Sequence, residues 1–189
     1  MTEIPERKFY LRQFKAIVHA LVTYDDLNLL MKHIVEGTRR RFKAKGCSIM
    51  LLDEREHQLI HVRSHGVSEE FLRKGPVVVD EKHCALYTEQ PVYIEDLRKS
   101  PHAQYPDAVA KEGIVSMLSI PIKSRQATVG VLRIYHGERY EFHEEDVDTL
   151  CITSEVLGMV IENNGLKNFL DSVKMALANL PLRLLEGLQ

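Results

Sequence analysis

The chain has 189 residues, 44% of them hydrophobic and 28% charged, which suits one domain with a proper core and helical extensions. Its 25 basic and 27 acidic residues leave a formal charge of −2, with no block of like charge long enough to form a tail. So balanced a chain gains little from phosphate neutralisation, and no apolar run approaches the ~20 residues that cross a bilayer, so neither nucleic acid nor a membrane is an expected partner.

Residues 1–6 lack a signal peptide's basic-then-apolar order. Three widely spaced cysteines, Cys47, Cys84 and Cys151, argue against a disulfide framework. A reducing, cytoplasmic setting is expected. From Phe9 to Val22 the apolar residues Leu11, Phe14, Ile17, Val18 and Leu21 recur at the spacing of one helical face, so residues 1–24 read as an N-terminal helix.

Asp25 or Asp26 caps a second helix, in which Leu27, Leu30, Met31, Ile34, Val35 and Phe42 line one side. The basic residues Arg39, Arg40, Arg41, Lys43 and Lys45 fall at its end, where cations complement the helix dipole. Gly46 then frees the chain to enter residues 47–52, apolar enough for a strand covered on both faces. A polar turn at 53–57 leads to 58–64, where Leu59, Ile60 and Val62 interleave with His61 and Arg63, completing a hairpin. His57, His61 and His65 recur every four residues, but that spacing spans ~13 Å along a strand, too far for two imidazoles to share one ion. A solvated sheet edge is expected there instead.

Residues 67–72 read as a short helix capped by Ser68, with Glu69 and Glu70 in its first turn. Pro76 opens an edge strand through Val79. Residues 84–89 suit a brief helix and 91–94 a further strand. Residues 100–107 hold two prolines and no apolar period, the mark of a loop, and 108–112 form a helical turn stopped by Gly113. Residues 113–122 and 129–135 make a second hairpin, which leads into an amphipathic helix from Glu144 to about Asn164. Beyond it, Leu166, Leu170, Val173, Leu177 and Leu180 alternate spacings of four and three, the seam of a short coiled coil ended by Pro181. Homodimerisation through that seam is expected. Strands and helices in this order indicate an α+β fold.

Enzyme signatures are missing. No phosphate loop, dinucleotide-binding glycine fingerprint or nucleophile elbow occurs, and His143-Glu144-Glu145-Asp146 lacks a second histidine for a zinc site. Cys84 alone carries a catalytic claim, through neighbouring Lys82 and His83, which could lower its pKa. Cys47 and Cys151 sit within apolar patterns as packing residues.

Several segments resemble the GAF domain family, in the family's order: residues 66–77 (Gly66-Val67-Ser68-Glu69-Glu70-Phe71-Leu72-Arg73-Lys74-Gly75-Pro76-Val77), 90–97, 104–106, 111–114, 119–122, 142–146 and 161–164. The likeness is to GAF domains attached to bacterial sensor histidine kinases. It spans residues 25–165, leaving 166–189 as a C-terminal helical extension. It implies a GAF-like, PAS-related central antiparallel sheet, with terminal helices on one face and short helices and loops enclosing a pocket on the other. Members bind cyclic nucleotides, tetrapyrroles, haem or other small molecules, and some serve only as dimerisation scaffolds. The resemblance therefore implies a non-catalytic sensor of an unidentified small molecule, relaying a shift through a helical homodimer to a separate signalling output protein. The length leaves no room for an output domain of its own, so a stand-alone sensor or an excised piece is expected. A thiol-based redox sensor or reductase using Cys84, or a ligand-free scaffold, is the alternative.

The family pattern also restricts the cargo. Phe142 and Asp146 remain from the cyclic-nucleotide motif, but its Asn-Lys pair is missing. His83-Cys84 reverses the order of the bilin attachment site. The loop at 100–107 has no cysteine to resolve a sulfenic intermediate.

Strand alternation divides the last hairpin. Gly130, Leu132 and Ile134 should face the terminal helices, whereas Val131, Arg133 and Tyr135 should face the pocket. By analogy with ligand-bound relatives, Met117 and Ser119 would join Arg133 and Tyr135, with Ser48 and Met50 from the first strand. His83, Cys84 and Tyr87 would form a lid, and Tyr105 would reach in from the loop. These ten residues are the candidate ligand-binding set.

Overall fold

Helix α1, Leu27–Phe42, starts where the Asp26 carboxylate accepts hydrogen bonds from the Asn28 and Leu29 amides at 2.8 and 3.2 Å. Of the two possible caps the chain uses the second. In this computed structural model residues 26–79, 84–101, 103–125 and 127–178 are described, together with Lys15 and His19. Apart from those two, the expected N-terminal helix lies outside the described residues, as do Lys82, His83, Leu180 and Pro181. Lys43 ends α1 in the left-handed conformation at φ 49°. Gly46, the first residue of the strand that follows, lies beyond that turn. It serves a close approach, because a Cβ there would meet Val67 Cγ1 at 2.5 Å.

The strands are β1 (Gly46–Asp53), β2 (Gln58–His65), β3 (Val77–Val78), β4 (Val92–Ile94), β5 (Ser116–Lys123) and β6 (Thr128–His136). They form one antiparallel sheet in the order β3-β2-β1-β6-β5-β4. Both expected hairpins are present. The proline-led segment lies at the sheet edge, as its missing N–H requires. Short helices α2 (Glu69–Leu72), α3 (Ala85–Thr88) and α4 (Pro106–Glu112) sit between strands. The Ser68 hydroxyl accepts from the Phe71 amide at 3.1 Å to cap α2. Helix α4 starts at Pro106, two residues earlier than its apolar spacing indicates, because proline suits the first turn.

Helix α5 runs unbroken from Glu144 to Ala178. The segment ending near Asn164 and the leucine-rich segment after it are therefore one helix.

Two layers of apolar side chains use opposite faces of the sheet. On one, Leu118 and Ile120 of β5 and Leu132 and Ile134 of β6 pack with Leu30, Val35 and Phe42 of α1 and Leu150 and Leu157 of α5. On the other, Met50 and Val131 pack with Cys84, Ala85 and Leu86, while Met117 and Tyr135 pack with Phe71, Leu97, Val109 and Ile114. Neighbouring residues on one strand thus belong to different cores, the direct result of the two-residue repeat. At the end of β5 the backbone of α5 comes so close that a Cβ on Gly158 would overlap the Lys123 carbonyl.

Candidate ligand cavity

On the face away from the long helices, a cavity of about 90 Å³ lies between the sheet, α2, α4 and the start of α3. Five residues of the candidate set line it: Cys84, Tyr105, Met117, Arg133 and Tyr135. Ser48 and Ser119 flank Arg133 in register on β1 and β5, both buried. Met50 is buried in the neighbouring apolar cluster. Tyr87 is 46% exposed and stands outside the lining. His83 lies outside the described residues.

Lys74, which lines the cavity, and His61, which contacts Lys74, are among the residues that sequence reasoning missed. His61 pairs in register with Met50, so it shares the cavity face of the sheet. His61 lies beyond Gln58 and Leu59, the residues of β2 that pair with β3, yet it is partly buried rather than on a solvated edge, with its ring beside Phe71. Lys74 Nζ donates to the Phe71 carbonyl at 3.2 Å and lies 3.1 Å from His61 Nε2. An ammonium has only donors, so Nε2 accepts and the ring proton is on Nδ1, 3.3 Å from Ser64 Oγ. Lys74 also sits 3.9 Å over the Phe71 ring.

Burial, with the Arg133 charge second, lowers the Lys74 pKa to about 8; Glu112 acts in the opposite direction. Burial and then the charges of Lys74 and Arg133 lower His61 to about 3. The imidazole is neutral at physiological pH. Burial raises the Tyr135 phenol, against the pull of Arg133 and the Ser48 hydroxyl. That hydroxyl lies near enough to favour the ionised phenol without completing a hydrogen bond.

Residues at the rim are pinned from several elements. The Tyr105 hydroxyl donates to the Pro76 carbonyl at 2.7 Å. The Gln104 side-chain amide accepts from the Val78 amide at 2.9 Å and donates back to the Val78 carbonyl, so it acts as an extra rung on the edge of β3. Gly75, at φ +115°, leaves room for Tyr105, whose hydroxyl would lie 2.8 Å from an added Cβ.

Residues 26–161, well over half the chain, match the family described as GAF domain. The chain belongs to the GAF family. GAF domains are a generally non-catalytic sensory and regulatory fold that commonly binds small molecules. Among solved structures, the GAF domain from a phosphoenolpyruvate-protein phosphotransferase of Coxiella burnetii superposes with a TM-score of 0.72 at 18% identity, covering 84% of this chain and 95% of that one. The GAF domain of a putative sensor histidine kinase from Pseudomonas syringae pv. tomato gives 0.64 at 16%, covering 86% and 91%. Free methionine-R-sulfoxide reductase from Neisseria meningitidis, solved in complex with its substrate, gives 0.65 at 16%, covering 79% and 86%. At these identities the likeness is one of fold. No curated protein matches the chain in sequence.

Among the described residues of this GAF domain no three metal-ligating side chains converge, and no helix is long and apolar enough to cross a membrane.

Proposed function

We propose that this GAF domain is a non-catalytic sensor that binds a small molecule in the cavity and passes a conformational change through α5 to a homodimer interface and a separate signalling protein. The reading rests on the division of β5 and β6 between two cores. Met117, Arg133 and Tyr135 line the cavity, and their sequence neighbours Leu118, Leu132 and Ile134 carry the long helices. A guest that binds one arrangement of these strands more tightly than another shifts the helices by that difference in affinity. The cavity, about 90 Å³, falls well below the ~300–1,000 Å³ of pockets for drug-sized ligands, so the guest is small. Three free thiols suit a reducing, cytoplasmic compartment.

A second reading, a thiol-based sensor or reductase, is favoured by the place of Cys84 in the cavity lining. Cys47 and Cys151 lie with the helical core, and burial raises both thiols, so an oxidised Cys84 would depend on an outside thiol for its return. Native mass spectrometry of the protein purified from its source separates these readings. A sensor retains one small non-covalent mass, and the Cys84→Ser variant retains it too. Loss of the mass in that variant points to thiol chemistry. A bare chain in both reduces the domain to a dimerisation scaffold.

A further inference from the structure

Arg133 and Lys74 line the cavity together, and among the described residues no acid lines it with them. Arg133 projects from β6 between the buried hydroxyls of Ser48 and Ser119, and its Nε is buried with no hydrogen-bond partner. Among the described residues no carboxylate pairs with its guanidinium and none lines the cavity. Lys74 arrives from the loop after α2 and spends two of its three donors on Phe71 and His61, leaving one. Glu112, the acid whose charge reaches Lys74, is held by Lys45 at 3.7 Å and by the Ser68 hydroxyl. The Ser119 hydroxyl, beside Arg133, is also without a partner.

Two partly buried cations with no carboxylate of the described residues between them are unfavourable for the empty fold. Such an arrangement is expected where a guest brings the missing negative charge. We propose that the ligand of this cavity is a small organic anion whose carboxylate or phosphate head lies between Arg133 and Lys74, with its short remainder against Phe71, Val109 and Met117. This rests on the reading of the cavity as the sensory site. A guanidinium fork matches either head with two parallel hydrogen bonds, and Lys74 adds a point charge. The rest of the lining is mostly apolar, which accommodates a few carbon atoms and gives no partner to a second charge.

Four probes of similar size separate charge from shape: butyrate, inorganic phosphate, neutral butyramide and cationic butylamine. Each is titrated into the full chain while the Met117 methyl signal and the thermal midpoint are followed. Butyrate or phosphate is expected to move both, and the two arms tell carboxylate from phosphate. Arg133→Gln and Lys74→Gln should each weaken that binding at least tenfold, and Arg133→Lys less. In the empty protein both glutamine variants should melt at or above the wild-type midpoint, since each relieves the repulsion between two partly buried charges. A purely structural role would lower the midpoint instead, and that result overturns the proposal. Binding of butyramide as tight as butyrate, unchanged in Arg133→Gln, also overturns the anionic guest while leaving a sensor of neutral molecules. No response to any probe, with no mass retained by the native protein, removes the sensory reading as well.

Discussion

Lys74 and His61 show how one buried contact sets two protonation states. The ammonium needs an acceptor, the imidazole supplies one only while neutral, and protonating the ring would put a third cation beside Lys74 and Arg133. His61 titrates at about 3 in the folded chain against an ordinary 6.5, so between those values the unfolded chain holds a proton that the folded one does not. Stability must then rise with pH across this window and fall on acidification below 6.5, by up to about 1.4 kcal/mol per unit. Burial lowers His136 to about 4, which adds a second contribution of the same sign. Lys74, at about 8 against 10.5, gives a further rise in stability from pH 8 to 10.5. A His61→Gln variant keeps an acceptor for Lys74 but cannot titrate. Urea denaturation at stepped pH should show a shallower acid slope for this variant than for wild type, with the alkaline rise kept. Equal slopes between pH 6.5 and 4 would contradict the assignment.

At the scale of elements, the seating of α5 on β5 opposes ordinary helix propensity. Replacing a mid-helix glycine with alanine normally stabilises by about 1 kcal/mol. Gly165 meets nothing within 4 Å of an added Cβ, so Gly165→Ala should follow that rule. At Gly158 the same methyl collides with the Lys123 carbonyl, and backbone cannot swing aside as a flexible side chain does. Gly158→Ala should therefore destabilise, by ~1–3 kcal/mol, the range of overpacked cores. Denaturation of the two variants side by side tests the docking, and a gain in stability at both positions would refute it. The hairpins and the inward face of β6 were legible in the sequence because Leu132 and Ile134 declare the two-residue repeat locally. The same alternation marked Arg133 and Tyr135 for the opposite face. Lys74 gave no such signal: it is one polar residue in a loop, and only the fold brings it to a strand 13 residues back. His61 was misread because its cover comes from Phe71 and Lys74, in and just after α2, which no pattern within β2 announces. Gln104 likewise looks like loop filler until its amide meets the edge of β3, 26 residues earlier.

For the whole molecule, the decisive asymmetry is that α5 outlasts the domain beneath it. Through Ile161 the helix is fastened by Leu150, Leu157 and their neighbours. From residue 165 to 178, about 21 Å at ~1.5 Å per residue, it projects beyond those contacts. Leu166, Phe169, Leu170 and Val173 are exposed on that stretch, at 57%, 65%, 56% and 38%. They recur at i, i+3, i+4 and i+7, so they share one face. A helix of this length is marginal in water alone, and an open apolar stripe adds cost. Pairing with the same segment of a second chain relieves both penalties, which is why a homodimer is proposed. Sedimentation equilibrium should then give twice the chain mass for wild type and one chain mass for the double variant Leu166→Glu, Leu170→Glu. Opposed carboxylates on the seam would separate the helices, and far-ultraviolet circular dichroism should lose helix signal as the freed ends fray. The cavity lies on the far side of the sheet, so the monomer should keep its guest. Equal masses for variant and wild type would sink the seam, and loss of the guest with an intact fold would mean that dimer and cavity are coupled more tightly than separate faces of one sheet allow.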